Sequence, residues 1–451
     1  MKDPASASSG GAHECVVAAR SRSDRSFGAA LCSAEQIKFG IFYEHQLPKP
    51  WSEDDEFELL RDALAQVELA DRLGFDHAWE VEHHFLDEYS HSSAPEVFLA
   101  AAAARTKRIR LGHGIRQVIP NYNHPARTAE AIATLDLISD GRVDFGIGEG
   151  ATRLELNGFN IPAKQKRAMS LEAAEQIANM MVLDPYPGYS SESFSMPCRN
   201  VLPKPRQKPH PPMWIACTNR DTIKVAARNG LGALAFSFID PEEAHAWVDI
   251  YYDIIKSEEC VPLGHTVNAN IALVTGFSLH HDRAEAIRRG QEGFEFFGYA
   301  LNALVAHDQR PGRTDLWGEF QAFRKPNSIA DRITRAAEHD DTYSSCIGTP
   351  ADARRHLRAM SDAGVDQVIF IQQAGRNRHE DICASLELFA SDVMPEFAAQ
   401  QVERQERKDA DLAPYLAAAL ARKQWMSPLA EDEIPVVVAA VKKAQTSGTL
   451  T

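Results

Sequence analysis

The chain has 451 residues, of which 44% are hydrophobic and 25% are charged, a balance typical of a globular protein with a sizeable core. Its formal net charge of −15 disfavours contact with a phosphate backbone, so no nucleic-acid partner is expected. No apolar run is long enough to span a bilayer, so no membrane partner is expected either, and no secretory signal is recognisable at the N-terminus. The seven cysteines are odd in number and scattered, which predicts free thiols in a reducing, cytoplasmic setting.

The chain divides into an irregular start and a long periodic region. Residues 1–35 are rich in Ser, Ala, Gly and Arg without periodicity, which predicts a disordered or loosely attached arm. From Ile37 onward, apolar runs of strand type alternate with amphipathic helical stretches. Eight runs are predicted to be strands: IKFGIFYEHQ, HAWEVEHHF, IRLGHGIRQVI, VDFGIGEG, PMWIACT, GALAFSF, VNANIALVTGFSL and QVIFIQQ. The helices that follow them are predicted from about Ser52, over Glu96–Ala104, Pro125–Ile138, Arg167–Val182, Asp221–Asn229 and Pro241–Ser257, from Asp282, and over Asp381–Met394.

Eight strand–helix units favour one fold within the α/β class. Strands that are apolar along their whole length suit a parallel sheet covered by helices, and eight of them favour a closed (β/α)8 TIM barrel. An open doubly wound sheet would carry a GxGxxG phosphate loop after its first strand, whereas the nearest glycine cluster, Gly146–Gly150, follows the fourth. The sequence therefore predicts a barrel over residues 36–398 and a helical C-terminal extension over 399–451. That extension would pack on the barrel or contribute to a dimer interface.

Two segments are longer than a minimal barrel requires. Residues 184–210 are rich in Pro, Ser and Tyr, and residues 295–345 mix aromatic, basic and turn residues. Active sites of this fold form at the carboxyl ends of the strands. We therefore expect both insertion loops to cover that mouth and to define the substrate.

The clearest candidate chemistry lies at the end of the second strand, in Glu82-His83-His84. Histidine supplies a base near neutral pH, and an adjacent carboxylate can orient it. The alternatives are a metal-binding pair or ordinary loop histidines. Because neighbouring residues of a strand face opposite ways, one metal ion is not expected to bind both histidines.

Three further segments could contact a ligand. The glycines of Gly112-His113-Gly114 indicate a bulge or a close approach of a flat ligand, or simple packing in a crowded barrel. The segment Gly146–Thr152 exposes backbone amides at the barrel top, or forms a flexible loop. The segment Cys217–Thr222 opens a helix and could hold a phosphate, although N-capping by Thr218 or Asn219 would explain it equally well.

Taken together, these motifs resemble the bacterial-luciferase-like flavin-dependent monooxygenases over residues 37–397. The most specific part runs from Arg72–Trp79 into Glu82–Phe85. The remaining matches are Pro120, His124-Pro125, Glu130, Leu135-Asp136, Ser139, Gly141-Arg142, Phe145–Ile147, Ala226-Ala227, Gly230, Gly348–Pro350 and Ala363–Asp366.

The resemblance implies an enzyme that uses reduced FMN, supplied by a separate flavin reductase, together with O2. Such enzymes form a C4a-peroxyflavin and oxygenate a small organic substrate such as an aldehyde, a ketone or a terpenoid. A homodimer without a resident metal is expected. Three alternatives stay open: an F420-dependent oxidoreductase of the same barrel family, a non-catalytic partner subunit like the luciferase β chain, and a metal-dependent barrel hydrolase.

The resemblance also assigns roles to residues. His83 would be the active-site histidine beside the flavin, supported by His84, with Glu82 next to the flavin. Gly114-Ile115 falls where the family often has a non-prolyl cis peptide bond under the isoalloxazine ring.

The same resemblance implies how the phosphate is held and where this chain departs from luciferase. The phosphate-binding positions would be Thr218, Asn219 and Thr222, with Arg167 as a basic partner. Gly148 and Glu149 stand where bacterial luciferase has a cysteine and an arginine. Light emission is therefore not expected, whereas oxygenation stays open.

Overall fold

The computed structural model describes residues 37–324, 345–398 and 401–438. The predicted N-terminal arm, part of the second insertion and the last residues of the extension lie outside these ranges. The strands are β1 (Lys38–Tyr43), β2 (His77–Glu80), β3 (Arg110–Gln117), β4 (Val143–Gly148), β5 (Tyr186–Ser190), β6 (Ser195–Arg199), β7 (Met213–Cys217), β8 (Gly232–Ala235), β9 (Ile271–Leu279), β10 (Cys346–Gly348) and β11 (Gln367–Gln373). The helices are α1 (Asp55–Leu73), α2 (Pro95–Arg105), α3 (Pro125–Ile138), α4 (Arg153–Gly158), α5 (Lys166–Val182), α6 (Arg220–Arg228), α7 (Pro241–Ile255), α8 (Arg283–Ala306), α9 (Leu316–Phe323), α10 (Pro350–Asp362), α11 (His379–Asp392), α12 (Met394–Ala398) and α13 (Gln401–Arg422).

Eight parallel strands close into a ring in the order β1, β2, β3, β4, β7, β8, β9, β11, with β11 paired to β1. Each corresponds to one of the eight apolar runs, so the prediction of a (β/α)8 barrel is confirmed. Two features were not predicted. The three-residue strand β10 pairs with the end of β9, and β5 and β6 form a separate antiparallel hairpin.

Large aromatic side chains fill the barrel interior. Trp79 and Trp214 meet edge to face with ring centroids 5.4 Å apart, and both belong to an apolar cluster inside the ring. A Cβ on Gly112 would lie 2.2 Å from the Trp79 ring. Because interiors are close-packed, the glycine in β3 is what leaves room for the indole.

Helix starts follow the capping signals of the sequence. The Asp282 side chain accepts a hydrogen bond from the backbone N–H of Ala284, and α8 begins at the next residue as predicted. The observed start of the first helix differs from the predicted start at about Ser52. Ser52 binds the Asp55 side chain ahead of the helix, so α1 begins three residues later, after Asp54.

The expectation that residues 184–210 cover the mouth is wrong. Gln207 in this segment donates hydrogen bonds to Asp136 and to the carbonyl of Val143, at the start of β4. Lys204 likewise binds carbonyls at the end of α5. The physical reason is the alternation of the fold: a segment that follows a helix returns to the amino ends of the strands, opposite the mouth.

The C-terminal helix α13 also packs at the amino ends of the strands. The Lys408 ammonium lies 2.6 Å from the carboxylate of Asp366 and 2.8 Å from the side-chain oxygen of Asn270. Arg422 donates to the carbonyl of Cys260. Among the helices that the structure describes, none is long and apolar enough to cross a membrane.

The packing of Trp79 gives a stability prediction. Gly112→Ala is expected to lower the free energy of unfolding by about 1–3 kcal/mol, because the added methyl group displaces a buried indole. The matched control is Gly298→Ala in α8, where a Cβ has 3.9 Å of clearance from Phe238. That change is expected to stabilise the helix by roughly 0.5–1 kcal/mol. Thermal and urea unfolding of both variants would measure this, and equal stability of the two would contradict it.

Candidate functional site

A cavity opens at the carboxyl ends of the barrel strands. Its space, open mouth included, is about 1120 Å³, similar to the roughly 300–1,000 Å³ of small-molecule sites. Three kinds of wall surround it: a histidine–carboxylate cluster, a glycine-rich face and a cationic end with hydroxyl groups. Its apolar residues are Phe42, Val81, Ile115, Ile215, Ala216, Val225, Phe236, Phe238, Val274, Phe297 and Leu301.

His83 lies just beyond β2, at the cavity wall, and its imidazole sits between two carboxyl groups. Its Nδ1 is 2.9 Å from Glu155 Oε1, and its Nε2 is 3.2 Å from Glu44 Oε1. The ring of Tyr89 meets the imidazole edge to face at 5.8 Å. Strand β1, strand β2 and helix α4 thus bring three titratable side chains together at one point.

The surroundings of these groups shift their protonation. Burial disfavours a charged imidazole, but the negative charge of Glu155, reinforced by Glu44 whenever that carboxyl is ionised, outweighs it and raises the pKa of His83. Burial raises the pKa of Glu44, so this carboxyl holds its proton at higher pH than usual. Burial also acts on Glu155, yet the charge of His83 and hydrogen bonds lower the pKa of that carboxyl. The arrangement therefore favours an imidazolium beside the Glu155 carboxylate, with a protonated Glu44 facing the cavity.

Neither Glu44 nor Glu155 was predicted from the sequence. Glu44 follows β1 in the same way that Glu82 and His83 follow β2, so its position after a strand was a usable signal. Glu155 lies on the short helix α4, whose Thr152 cap binds the Glu155 side chain and backbone. No spacing in the sequence connects it to a residue more than seventy positions earlier.

His84 and Glu82 were expected at the site, but neither lines the cavity. His84 Nε2 lies 3.1 Å from Glu82 Oε1, and its ring packs against Tyr122 and Phe159. Glu82 accepts hydrogen bonds from the backbone N–H of Gln117 and from the Asn123 side chain. The pair thus supports the loop after β3 and stands apart from the cavity that His83 lines.

Gly114, Ile115 and Gly148, which were predicted to contact a flat ligand, line the cavity. The pairing of β3 with β4 shifts between His113 and Arg116, which is the bulge that the glycines indicated. The expected cis bond at Gly114-Ile115 is contradicted, because each cis peptide bond among the described residues precedes a proline. The register shift turns Ile115 into the cavity with an ordinary trans bond. A Cβ on Gly148 would lie 2.0 Å from the Ile115 side chain.

Another part of the cavity wall, the cationic end, carries hydroxyl groups and two cations. Thr218, Thr222 and Arg167 line it as predicted, together with Lys166 and Ser170, which the sequence analysis did not identify.

Asn219 does not line this end of the cavity. Its side chain accepts from the backbone N–H of Thr222 and caps α6, so the alternative of N-capping is correct for this residue.

Glu149 lines the same end but pairs with the cation that was expected to hold a phosphate. Its Oε2 accepts from Arg167 Nε, and its Oε1 lies 2.9 Å from Arg167 Nη2. Lys166 Nζ is 3.4 Å from the same carboxylate and donates to the carbonyl of Gly150 at 2.6 Å. Two positive charges and one negative charge therefore meet at this end.

These features fit a phosphorylated flavin. The cations and the Thr218 hydroxyl suit a phosphate, and the wall formed by Gly114, Ile115 and Gly148 offers an apolar surface to a planar ring. Within the parts of the chain that the structure describes, no three His, Cys, Asp or Glu side chains converge in a way that could hold a metal ion.

Comparison with known proteins finds similar monooxygenases. The family model described as luciferase-like monooxygenase matches residues 37–367. The alkanal monooxygenase alpha chain of Photorhabdus laumondii subsp. laumondii is 25% identical over 365 residues, covering 80% of this chain and 97% of that relative. The crystal structure of the monooxygenase RslO1 from Streptomyces bottropensis is similar with a TM-score of 0.64 and 27% identity, covering 80% of this chain and all of RslO1.

Two more distant structures share the fold alone. The oxygenating constituent of 3,6-diketocamphane monooxygenase from Pseudomonas putida, in complex with FMN, has a TM-score of 0.63 at 16% identity, covering 80% of this chain and 99% of that one. An F420-dependent secondary alcohol dehydrogenase has a TM-score of 0.59 at 16% identity, with 80% and 98% coverage. The fold is thus shared by proteins that use either cofactor.

The carboxylates around His83 give a prediction about its titration. Glu155→Gln is expected to lower the pKa of His83, because it removes the nearest negative charge that stabilises the imidazolium. The imidazole would then lose its proton at lower pH than in the wild type. NMR of ring-labelled histidine would follow this, with the His83 signal assigned from its loss in His83→Gln. Glu56→Gln, which removes the partner of His91, is the control and should leave His83 unchanged.

Proposed function

The chain belongs to the luciferase-like monooxygenase family, and from this premise we propose that it is a two-component, FMNH2-dependent and O2-dependent monooxygenase. Its substrate would be a small organic molecule such as an aldehyde, a ketone or a terpenoid. The observation that carries the proposal is the placement of His83 between Glu44 and Glu155 in a cavity that Lys166 and Arg167 also line.

The cationic end would bind the flavin phosphate. Lys166 and Arg167 supply charge, and the Thr218 hydroxyl supplies a neutral hydrogen-bond donor there, whereas the Thr222 hydroxyl already donates to the Asn219 carbonyl. The reduced flavin ring would lie against the wall that Ile115 and Gly148 form, where the Ile115 side chain covers the glycine. When bound there, reduced FMN supplies the activation of O2.

The aromatic wall would exclude water and receive the substrate. Phe42 and Phe236 lie 5.1 Å apart, and Phe297 contacts both Phe42 and Phe238. A dry, apolar wall beside the reacting atoms suppresses wasteful release of peroxide and strengthens nearby hydrogen bonds.

His83 would hold and donate the proton that the reaction requires. The imidazole faces the cavity, and Glu155 behind it stabilises the charged form and fixes the ring. Glu44 on the other nitrogen can return a proton, because its own pKa is raised. This arrangement suits a general acid more than a base at neutral pH.

A flavin reductase would deliver FMNH2, and a homodimer in the cytoplasm is our expectation. The cysteines that the structure describes are all free thiols, which suits a reducing compartment. The F420 alternative rests on shared fold, and the intact cluster around His83 argues against a non-catalytic partner subunit.

Cofactor choice is tested by anaerobic titration with reduced FMN and with reduced F420. We expect saturable binding of FMNH2, followed by O2 uptake that rises when aldehydes, ketones or terpenoids are added. Product masses should increase by one oxygen atom. Exclusive binding of reduced F420, or substrate turnover without O2, would contradict the proposal.

His83→Ala is expected to lower product formation by roughly 10²–10⁴-fold, as for the loss of a general acid. FMN affinity should stay within about twofold, because the phosphate would be held by other residues, Lys166 and Arg167. The control is His245→Ala on α7, whose side chain is exposed and 62% accessible. Steady-state turnover and fluorescence titration would measure both quantities, and an unimpaired His83→Ala enzyme would remove this residue from the mechanism.

Lys166→Gln is expected to weaken FMN binding about tenfold and to leave riboflavin binding unchanged, because only FMN carries the phosphate. Fluorescence titration of the two flavins would separate the effects. Lys224→Gln, at an exposed ion pair on α6, serves as the control. Equal weakening for both flavins would place Lys166 away from the phosphate.

A further inference from the structure

The most unusual feature of the cavity is the carboxylate at its cationic end. We propose that Glu149 is a specificity-determining residue that weakens the hold of this site on the flavin phosphate and so promotes exchange of the cofactor. This inference rests on the proposed function, because it assumes that a flavin phosphate binds beside Arg167.

Glu149 binds the guanidinium of Arg167 in the way that a phosphate would. Carboxylate and phosphate both bind guanidinium with two parallel hydrogen bonds, and Glu149 already makes such a fork with Arg167. The neighbouring Lys166 is drawn to the same loop, by Glu149 and by the carbonyl of Gly150. Both cations therefore have a partner from the loop after β4.

The pair lies at the wall of this cavity and is partly open to solvent. The Glu149 side chain is 20% exposed and the Arg167 side chain is 41% exposed, and both residues line the cavity. Helix α5 begins at Lys166, so the backbone fixes the positions of both cations next to the loop. An incoming phosphate must either replace the carboxylate on Arg167 or bind beside it.

Either arrangement lowers the affinity of the site for the flavin phosphate. A phosphate that replaces Glu149 leaves a carboxylate without its partner, and one that binds alongside meets a like charge. At a separation of about 6 Å in a largely aqueous environment, repulsion between a carboxylate and a phosphate dianion lowers affinity about tenfold.

Weak retention of the phosphate has a functional consequence. An oxygenase that takes reduced flavin from another protein must release the oxidised flavin before each new cycle. The phosphate charge is the same in both oxidation states, so the repulsion speeds dissociation without selecting between them. Glu149 thus favours a flavin that binds and dissociates in each catalytic cycle over a flavin that stays bound.

The test is equilibrium titration of the full-length protein with FMN and with riboflavin. Glu149→Gln keeps a side-chain oxygen that can accept from Arg167 but removes the charge. We expect it to bind FMN about tenfold more tightly than the wild type, with riboflavin affinity unchanged. Stopped-flow dilution should show slower FMN release by a similar factor.

The matched control is Glu396→Gln, which removes the charge from a second forked Arg–Glu pair, with Arg358, far from the cavity. Its affinity for both flavins should equal that of the wild type. Glu149→Ala provides a second variant if the first is poorly folded, as judged by circular dichroism, and should also bind FMN more tightly.

The outcomes separate this inference from the proposed function. Wild-type binding of FMN with equal or weaker binding by the Glu149 variants would overturn the inference alone, and would make Glu149 a residue that orients Arg167. Tighter binding of riboflavin as well as FMN would also overturn it. Failure of every protein to bind either flavin would overturn the proposed function and this inference with it.

Discussion

The site depends on an imidazole held between two buried carboxyl groups. A charge removed from water is costly unless a partner compensates it, and His83 and Glu155 compensate each other at 2.9 Å. The third group, Glu44, faces the other ring nitrogen at 3.2 Å and bears a proton more readily than an exposed carboxyl would. Loss of either carboxyl group would change the protonation of the whole cluster.

The barrel makes this geometry possible. Strands β1 and β2 are hydrogen-bonded neighbours, so the residues that follow them emerge side by side at the mouth. The short helix α4 then places the third member of the cluster from the loop after β4. At the opposite end of the barrel, Asp366 and Lys408 fasten the C-terminal helix, which leaves the mouth free for ligands. Stability and chemistry are thus divided between the two ends.

The sequence predicted the barrel well, because each parallel strand is buried on both faces and reads as an apolar run. Loop placement was harder. Residues 184–210 looked like a cover for the mouth, but a segment that follows a helix returns to the opposite end of the barrel. His83, Arg167, Thr218 and Thr222 were predictable from motifs and lie in the cavity.

Other site features were not visible in the sequence, since they depend on contacts across the fold. The role of Glu155 requires a contact with a distant strand end, and Lys166 lies in the cavity only because α5 begins beside the loop after β4. His84 was misplaced because its ring packs against Tyr122 and Phe159, which lie far from it in the sequence. The pairing of Glu149 with Arg167 depends on two segments eighteen residues apart meeting in space.

The close approach of Gly148 and Ile115 has a consequence for how this cavity can diverge. The Ile115 side chain fills the volume that any side chain at 148 would need. The two positions therefore share a fixed volume, and a larger residue at one requires a smaller residue at the other. A relative with a thiol at the position of Gly148 should carry a small residue opposite it. The identity of one residue would then constrain the other, although thirty-three positions of sequence separate them.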